Sequence, residues 1–157
     1  MKIGRVTLSD RASSGVYADE SGPAIEQELS GLFDEPAEFV PVLLPDDREK
    51  ISAALCRLAH ETGCELIVTT GGTGPAPRDV TPEATRAVLQ KELPGFGEIM
   101  RAKSFEIAPT AILSRATAGI RGRSLILNLP GSPRAVRECL GFLRPAIREA
   151  IRHLREA

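Results

Sequence analysis

The segment that most limits what this chain can fold into is Glu65 to Gly74, ELIVTTGGTG, where a short apolar, β-branched run passes directly into a glycine-rich loop. A run of that length and composition suits a strand covered on both faces, as central strands of parallel sheets are. Similar units flank it. Ile3 to Ser9 carries apolar residues at Ile3, Val6 and Leu8 and ends in the polar run SDRASSG, as a strand entering a loop does. Within Asp19 to Phe33, residues Ala24, Ile25, Leu29, Leu32 and Phe33 recur at helical spacing, with Pro23 tolerable only in the first turn. Glu38 to Leu44 reads as a second strand, closed by Pro45, Asp46 and Asp47. Asp47 to Glu61 then places Ile51, Ala54, Leu55, Leu58 and Ala59 on one face of an amphipathic helix.

Beyond the glycine loop, Thr81 is expected to cap a helix with Pro82 at its first position, running to about Lys91. Pro94 and Gly95 break it, and Phe96 to Phe105 is predicted to be a further helix. Ala116 to Ile120 and Arg123 to Asn128 are predicted strands around a tight turn at Arg121 and Gly122. Leu129 to Ser132 then repeat the strand-to-glycine-loop arrangement before a last helix, expected to be kinked or interrupted at Pro145. This alternation implies one domain over residues 1–157: a three-layer α/β/α sandwich with a mainly parallel central sheet. Ligands gather at the carboxyl ends of strands in such sheets, so SDRASSG, GGTGPAPRD and LPGSP are expected on one edge.

Composition narrows the function classes. Of 157 residues 42% are hydrophobic, enough for one substantial core, and 26% are charged with a net charge of -1. Neither nucleic acid nor a membrane surface is a natural partner of such a chain. Cys56, Cys64 and Cys139 show no ligand spacing, which argues against a zinc site or a disulfide framework and suits reduced thiols. MKIGRVTLSDR turns polar too soon for a signal peptide, and no stretch approaches the roughly 20 apolar residues of a membrane span. A cytoplasmic location is expected. His60 and His153 fall in predicted helices without partners at metal spacing and read as surface or packing residues.

The candidate chemistry lies in the loops. Gly71, Gly72, Thr73 and Gly74 stand between a buried strand and a helix, where backbone N–H groups can approach phosphate oxygens; a sharp turn needing positive φ would use the same residues. Asp79, five residues past Gly74, could hold a Mg²⁺ ion bridging phosphates, or bond the loop backbone as Asx turns do. Asp46 is the natural second carboxylate, whereas Asp47 reads as a helix-start residue. Ser9 and Asp10 belong to a polar loop rich in donors, and Ser114 and Arg115 could offer a hydroxyl and a guanidinium to phosphate. Asn128, Pro130 and Gly131 form a second loop able to bracket a ligand with two anionic ends.

Taken together, SDRASSGVYAD at 9–19, LPDD at 44–47, TTGGTGPAPRDVTPEAT at 69–85, LPGFGEIMR at 93–101, AILSRATAG at 111–119 and LILNLPGSP at 125–133 resemble the molybdopterin adenylyltransferases of molybdenum-cofactor biosynthesis, called Mog in bacteria. The resemblance implies transfer of AMP from Mg-ATP to the terminal phosphate of molybdopterin. It also implies a homotrimer, and it makes the molybdate-insertion protein a candidate partner. It assigns catalysis and Mg²⁺ binding to Asp46 and Asp79. Ligand binding falls to Ser9, Asp10, Gly71 to Gly74, Ser114, Asn128, Pro130 and Gly131. The chain ends at Ala157, a length approaching that of the related MoaB proteins, some of which lack this activity; a pterin-binding protein without catalysis is the alternative.

Overall fold

The structure, a computed structural model, describes residues 1–156. Its sheet is ordered β2-β1-β3-β6-β5-β4 from β1 (Lys2–Leu8), β2 (Glu38–Leu44), β3 (Leu66–Thr70), β4 (Lys91–Glu92), β5 (Ala118–Arg121) and β6 (Ser124–Leu129). The four strands β2, β1, β3 and β6 run parallel, while β5 and β4 are antiparallel additions at one edge. The mainly parallel α/β/α sandwich expected from the sequence is therefore the fold observed.

The central strands lack polar alternation because both faces are covered. From β3 and β6, Leu66, Val68, Leu125, Leu127 and Leu129 point into one core; α2 (Ser21–Leu29), α5 (Gly95–Phe105) and α6 (Pro133–Arg155) supply its other side. Ile67 and Ile126 point the opposite way, toward α3 (Arg48–Arg57) and α4 (Thr81–Arg86). All seven are fully buried, each contributing about 1.5–3 kcal/mol relative to exposure. This two-sided apolar packing fixes β3 in the middle of the sheet, and with it the loop at its carboxyl end. Among the described residues no helix is long and apolar enough to cross a membrane.

Five local expectations change. The helix after the glycine loop, α4, stops at Arg86, and residues 91–92 pair antiparallel with β5 as β4. Its N-cap is Val80; Thr81 is the first helical residue and turns its hydroxyl to the carbonyl of Gly71. SDRASSG is not all loop, since Ser9 caps the short helix α1 (Asp10–Ser13) by accepting from the Ala12 N–H at 3.1 Å. Arg121 pairs with Ser124, so the hairpin turns at Gly122 and Arg123, with Gly122 at φ +57°. The last helix, α6, runs unbroken through Pro145. The carbonyl that a proline leaves without a donor lies four residues back, here at exposed Gly141, where water can serve it.

Candidate active site

Gly71 and Gly72 carry β3 into its loop with φ of +95° and +67°. A Cβ on Gly71 would lie 2.3 Å from the carbonyl oxygen of Leu8, so close packing against β1 demands glycine as firmly as the backbone angle does. The tight-turn role anticipated for these glycines is real. A second property accompanies it: all four loop carbonyls are already bonded. Gly71 O accepts from the Thr81 hydroxyl at 2.9 Å, Gly72 O from the Thr81 N–H at 3.1 Å, Thr73 O from the Arg115 N–H at 2.8 Å and Gly74 O from Arg115 Nε at 2.9 Å. The N–H groups of Gly72, Thr73 and Gly74 have no acceptor among the described residues. The loop is thus sorted by polarity, with its acceptors satisfied by the protein and its donors left for an anion.

Both predicted carboxylates border this loop. Asp46, just past β2, has a buried Oδ1 without a hydrogen-bond partner, 3.0 Å from where a Cβ on Gly72 would sit. Burial, reinforced by the neighbouring Asp10 and Asp79 carboxylates, raises its pKa above the ordinary aspartate value. Asp79 reaches the far end of the loop, its Oδ2 lying 2.8 Å from the corresponding position on Gly74. The same oxygen accepts from the Ala76 N–H at 3.0 Å, so Asp79 does bond the loop backbone, though to a residue three before it and not in the Asx-turn pattern two residues on.

The remaining site residues divide by what they touch. Ser9 lies close by, sharing a 2.7 Å hydrogen bond with the Tyr17 hydroxyl. Asp10 is engaged by a residue that its sequence context does not single out: Arg78 donates to both of its oxygens, at 2.9 and 3.0 Å, and holds the carboxyl below its usual range. Asn128 is fully buried; its amide donates to the hydroxyls of Thr69 and Thr85 at 3.1 and 2.9 Å and accepts from the Thr117 N–H at 3.3 Å. It braces β3 against α4 behind the loop and presents nothing to a ligand. The guanidinium of Arg115, weighed above as a phosphate ligand, is committed inward: besides Gly74 it bonds both Glu83 oxygens and the Asp79 carbonyl. Pro130 and Gly131 have their carbonyls taken by the hydroxyls of Thr70 and Ser21, each at 2.6 Å.

Two cavities flank the glycine loop. One, of about 290 Å³, is walled by Thr73, Gly74, Ser114 and Pro130 together with apolar Met100, Ala111 and Leu113. The other, of about 280 Å³, includes Ser9, Asp46, Gly71, Gly72 and Gly131. Ligands occupying both would meet across the donor strip. The three glycine- and serine-bearing loops do converge on one edge, as their strand positions require.

This edge is the ligand-binding edge of a parallel α/β sheet, and the comparisons give it a family. Residues 4–149 match the model of a family described as a probable molybdopterin binding domain, and the chain belongs to that family. A molybdopterin adenylyltransferase of Helicobacter pylori strain J99 is 56% identical over 145 residues, covering 92% of this chain and 82% of the relative. The Escherichia coli K12 molybdopterin adenylyltransferase is 50% identical over 153 residues, covering 98% and 78%. Among solved structures, the Thermus thermophilus molybdopterin biosynthesis enzyme MoaB superposes with a TM-score of 0.90 at 43% identity, over 99% of this chain and 97% of that one. A place in molybdenum-cofactor biosynthesis follows from this membership.

Proposed function

We propose that this protein transfers AMP from Mg-ATP to the terminal phosphate of molybdopterin, giving adenylylated molybdopterin and pyrophosphate. One arrangement carries the reading: a strip of unengaged backbone donors at Gly72, Thr73 and Gly74, bordered by Asp46 and Asp79 and standing between two cavities. A molybdopterin phosphate oxygen bonds to the α-phosphorus of ATP, the bond from that phosphorus to its β-side bridging oxygen breaks, and pyrophosphate leaves with the electron pair. The nucleophile is already anionic at neutral pH, so the reaction needs no general base. The obstacle is repulsion between anions, and fixed N–H donors reduce it most where charge grows in the transition state.

The carboxylates fit a magnesium ion. A buried Asp46 oxygen without a donor is unfavourable unless a cation or proton meets it, and Asp79 lies at the other end of the same short loop. Mg²⁺ typically takes one or two carboxylates and completes its shell with water and substrate phosphates. When bound there it would neutralise charge on the triphosphate. Asp46 and Asp79 would hold it, the glycine loop would orient the phosphates, and the apolar wall at Met100, Ala111 and Leu113 suits a flat heterocycle.

The relatives' names support adenylyl transfer with molybdopterin as acceptor; ATP as the donor and a homotrimer are parts of the proposal that rest on the family resemblance. Exposed Ile99, Phe105, Ile107, Ile112 and Leu113 give a second copy an apolar surface to cover. The rival reading is a protein that binds the pterin without catalysis. Asp46→Asn and Asp79→Asn separate the two. The enzyme reading expects each to lower kcat by about a hundredfold or more while molybdopterin still binds. Binding without turnover by the unaltered protein favours the rival.

A further inference from the structure

Arg78 connects three strand ends. Asp10 follows β1 and Asp46 follows β2, and each carboxylate grips the other's backbone: the Asp10 N–H donates to Asp46 Oδ2 at 3.2 Å, and the Asp46 N–H donates to Asp10 Oδ1 at 3.0 Å. Arg78, from the loop after β3, closes the set by donating Nη2 to Asp10 Oδ1 at 2.9 Å and Nε to Asp10 Oδ2 at 3.0 Å. The guanidinium is planar and meets the carboxylate with two prongs, so it fixes the rotation of the Asp10 side chain as well as neutralising it. With Asp10 fixed, Asp46 has one oxygen tied to the Asp10 N–H and the other, the buried Oδ1, turned toward the glycine loop.

We propose that Arg78 is a positioning residue for the transfer reaction: by clamping Asp10 onto the backbone of Asp46, it sets the direction in which Asp46 presents its free oxygen to the phosphates. This rests on the adenylyl-transfer reading, yet it assigns a job to a side chain that would otherwise count as an exposed surface arginine. Arg78 is 68% exposed and the Asp10 side chain 40%. An exposed ion pair of this kind adds little to stability, so replacing either partner should leave the fold intact. A shift of the free oxygen by a fraction of an ångström matters far more to a reaction that depends on alignment.

The clamp predicts strict non-additivity, because Arg78 acts only through Asp10. Pyrophosphate release with molybdopterin and Mg-ATP is measured for Arg78→Met, Arg78→Lys, Asp10→Ala and the Arg78→Met/Asp10→Ala double variant. Expected is a fall in kcat of roughly tenfold or more in Arg78→Met, with KM for ATP changed less than about threefold. Lysine should restore part of the loss, and Arg78→Met should cost nothing further once Asp10 is alanine. A rise in KM for ATP in Arg78→Met that persists in the Asp10→Ala background would place Arg78 on the triphosphate and overturn the clamp, as would unchanged kcat. Amide exchange of the Asp46 N–H, followed by NMR without substrates, gives a second readout: it should quicken in Arg78→Met and in Asp10→Ala, and unaltered exchange in Arg78→Met refutes the proposal. If the unaltered protein makes no product yet this exchange quickens, the adenylyl-transfer reading fails while the clamp stands.

Discussion

Gly71 and Gly74 belong to the same short loop yet answer to different constraints. Gly71 needs its left-handed backbone angle and has the Leu8 carbonyl where a side chain would go, so Gly71→Ala should destabilise the fold by roughly 2–4 kcal/mol in denaturant unfolding. Gly74 has no such angle, and an added Cβ would meet only the carboxylate of Asp79. Gly74→Ala should therefore keep its stability while turnover falls by about tenfold or more, because Asp79 must swing aside. Equal stability losses in the two variants would contradict this division. The glycines and both aspartates were legible in the sequence because a glycine cluster after an apolar strand and carboxylates in the loops beyond strand ends are local signals. Asn128, Arg115 and Arg78 were not, because their roles depend on partners distant in sequence: Thr69 and Thr85, Glu83, and Asp10 respectively.

At the scale of elements, the strands followed from periodicity, and the largest failure came where tertiary pairing overruled local preference. The helix anticipated as far as Lys91 gives way to β4 because Gln90 and Leu93 donate to the carbonyls of Ile120 and Ala118, each at 2.8 Å, extending the sheet edge. The elements behind the glycine loop are tied by one ion pair, Arg115 with Glu83 on α4 at 2.6 Å, and the same guanidinium holds Gly74 and Asp79. Arg115→Met should cost about 1–3 kcal/mol of stability and loosen the loop. Arg115 holds the Glu83 carboxyl below its ordinary value of 4.5. A depressed carboxyl contributes its stabilisation above the unfolded value and loses it as pH falls through the lower folded value. The stability gap between the unaltered protein and Glu83→Gln should thus persist at neutral pH and close under acid. A gap that widens under acid would contradict the assignment.

For the molecule as a whole, parallel strands bring loops far apart in sequence to one edge, and that convergence followed from strand order alone. The cavities did not: one combines strand-end loops with α5, α6 and the turn around residues 109–113, the other combines them with α1 and the start of α2, and no local pattern specifies that packing. The proposed homotrimer belongs to this scale. Sedimentation should give three times the 16.8 kDa chain mass, and Ile112→Asp, which puts charge on the exposed apolar surface, should shift it toward the monomer. A monomeric unaltered protein would remove the trimer from the account. The most direct test of the central claim is a pyrophosphate-release assay with molybdopterin and Mg-ATP supplied separately and together, for the unaltered protein, Asp46→Asn and Asp79→Asn. Adenylyl transfer predicts release, with adenylylated molybdopterin, only when both substrates are present, and a loss of about a hundredfold or more in each variant. Molybdopterin binding without any adenylylated product from the unaltered protein would contradict it.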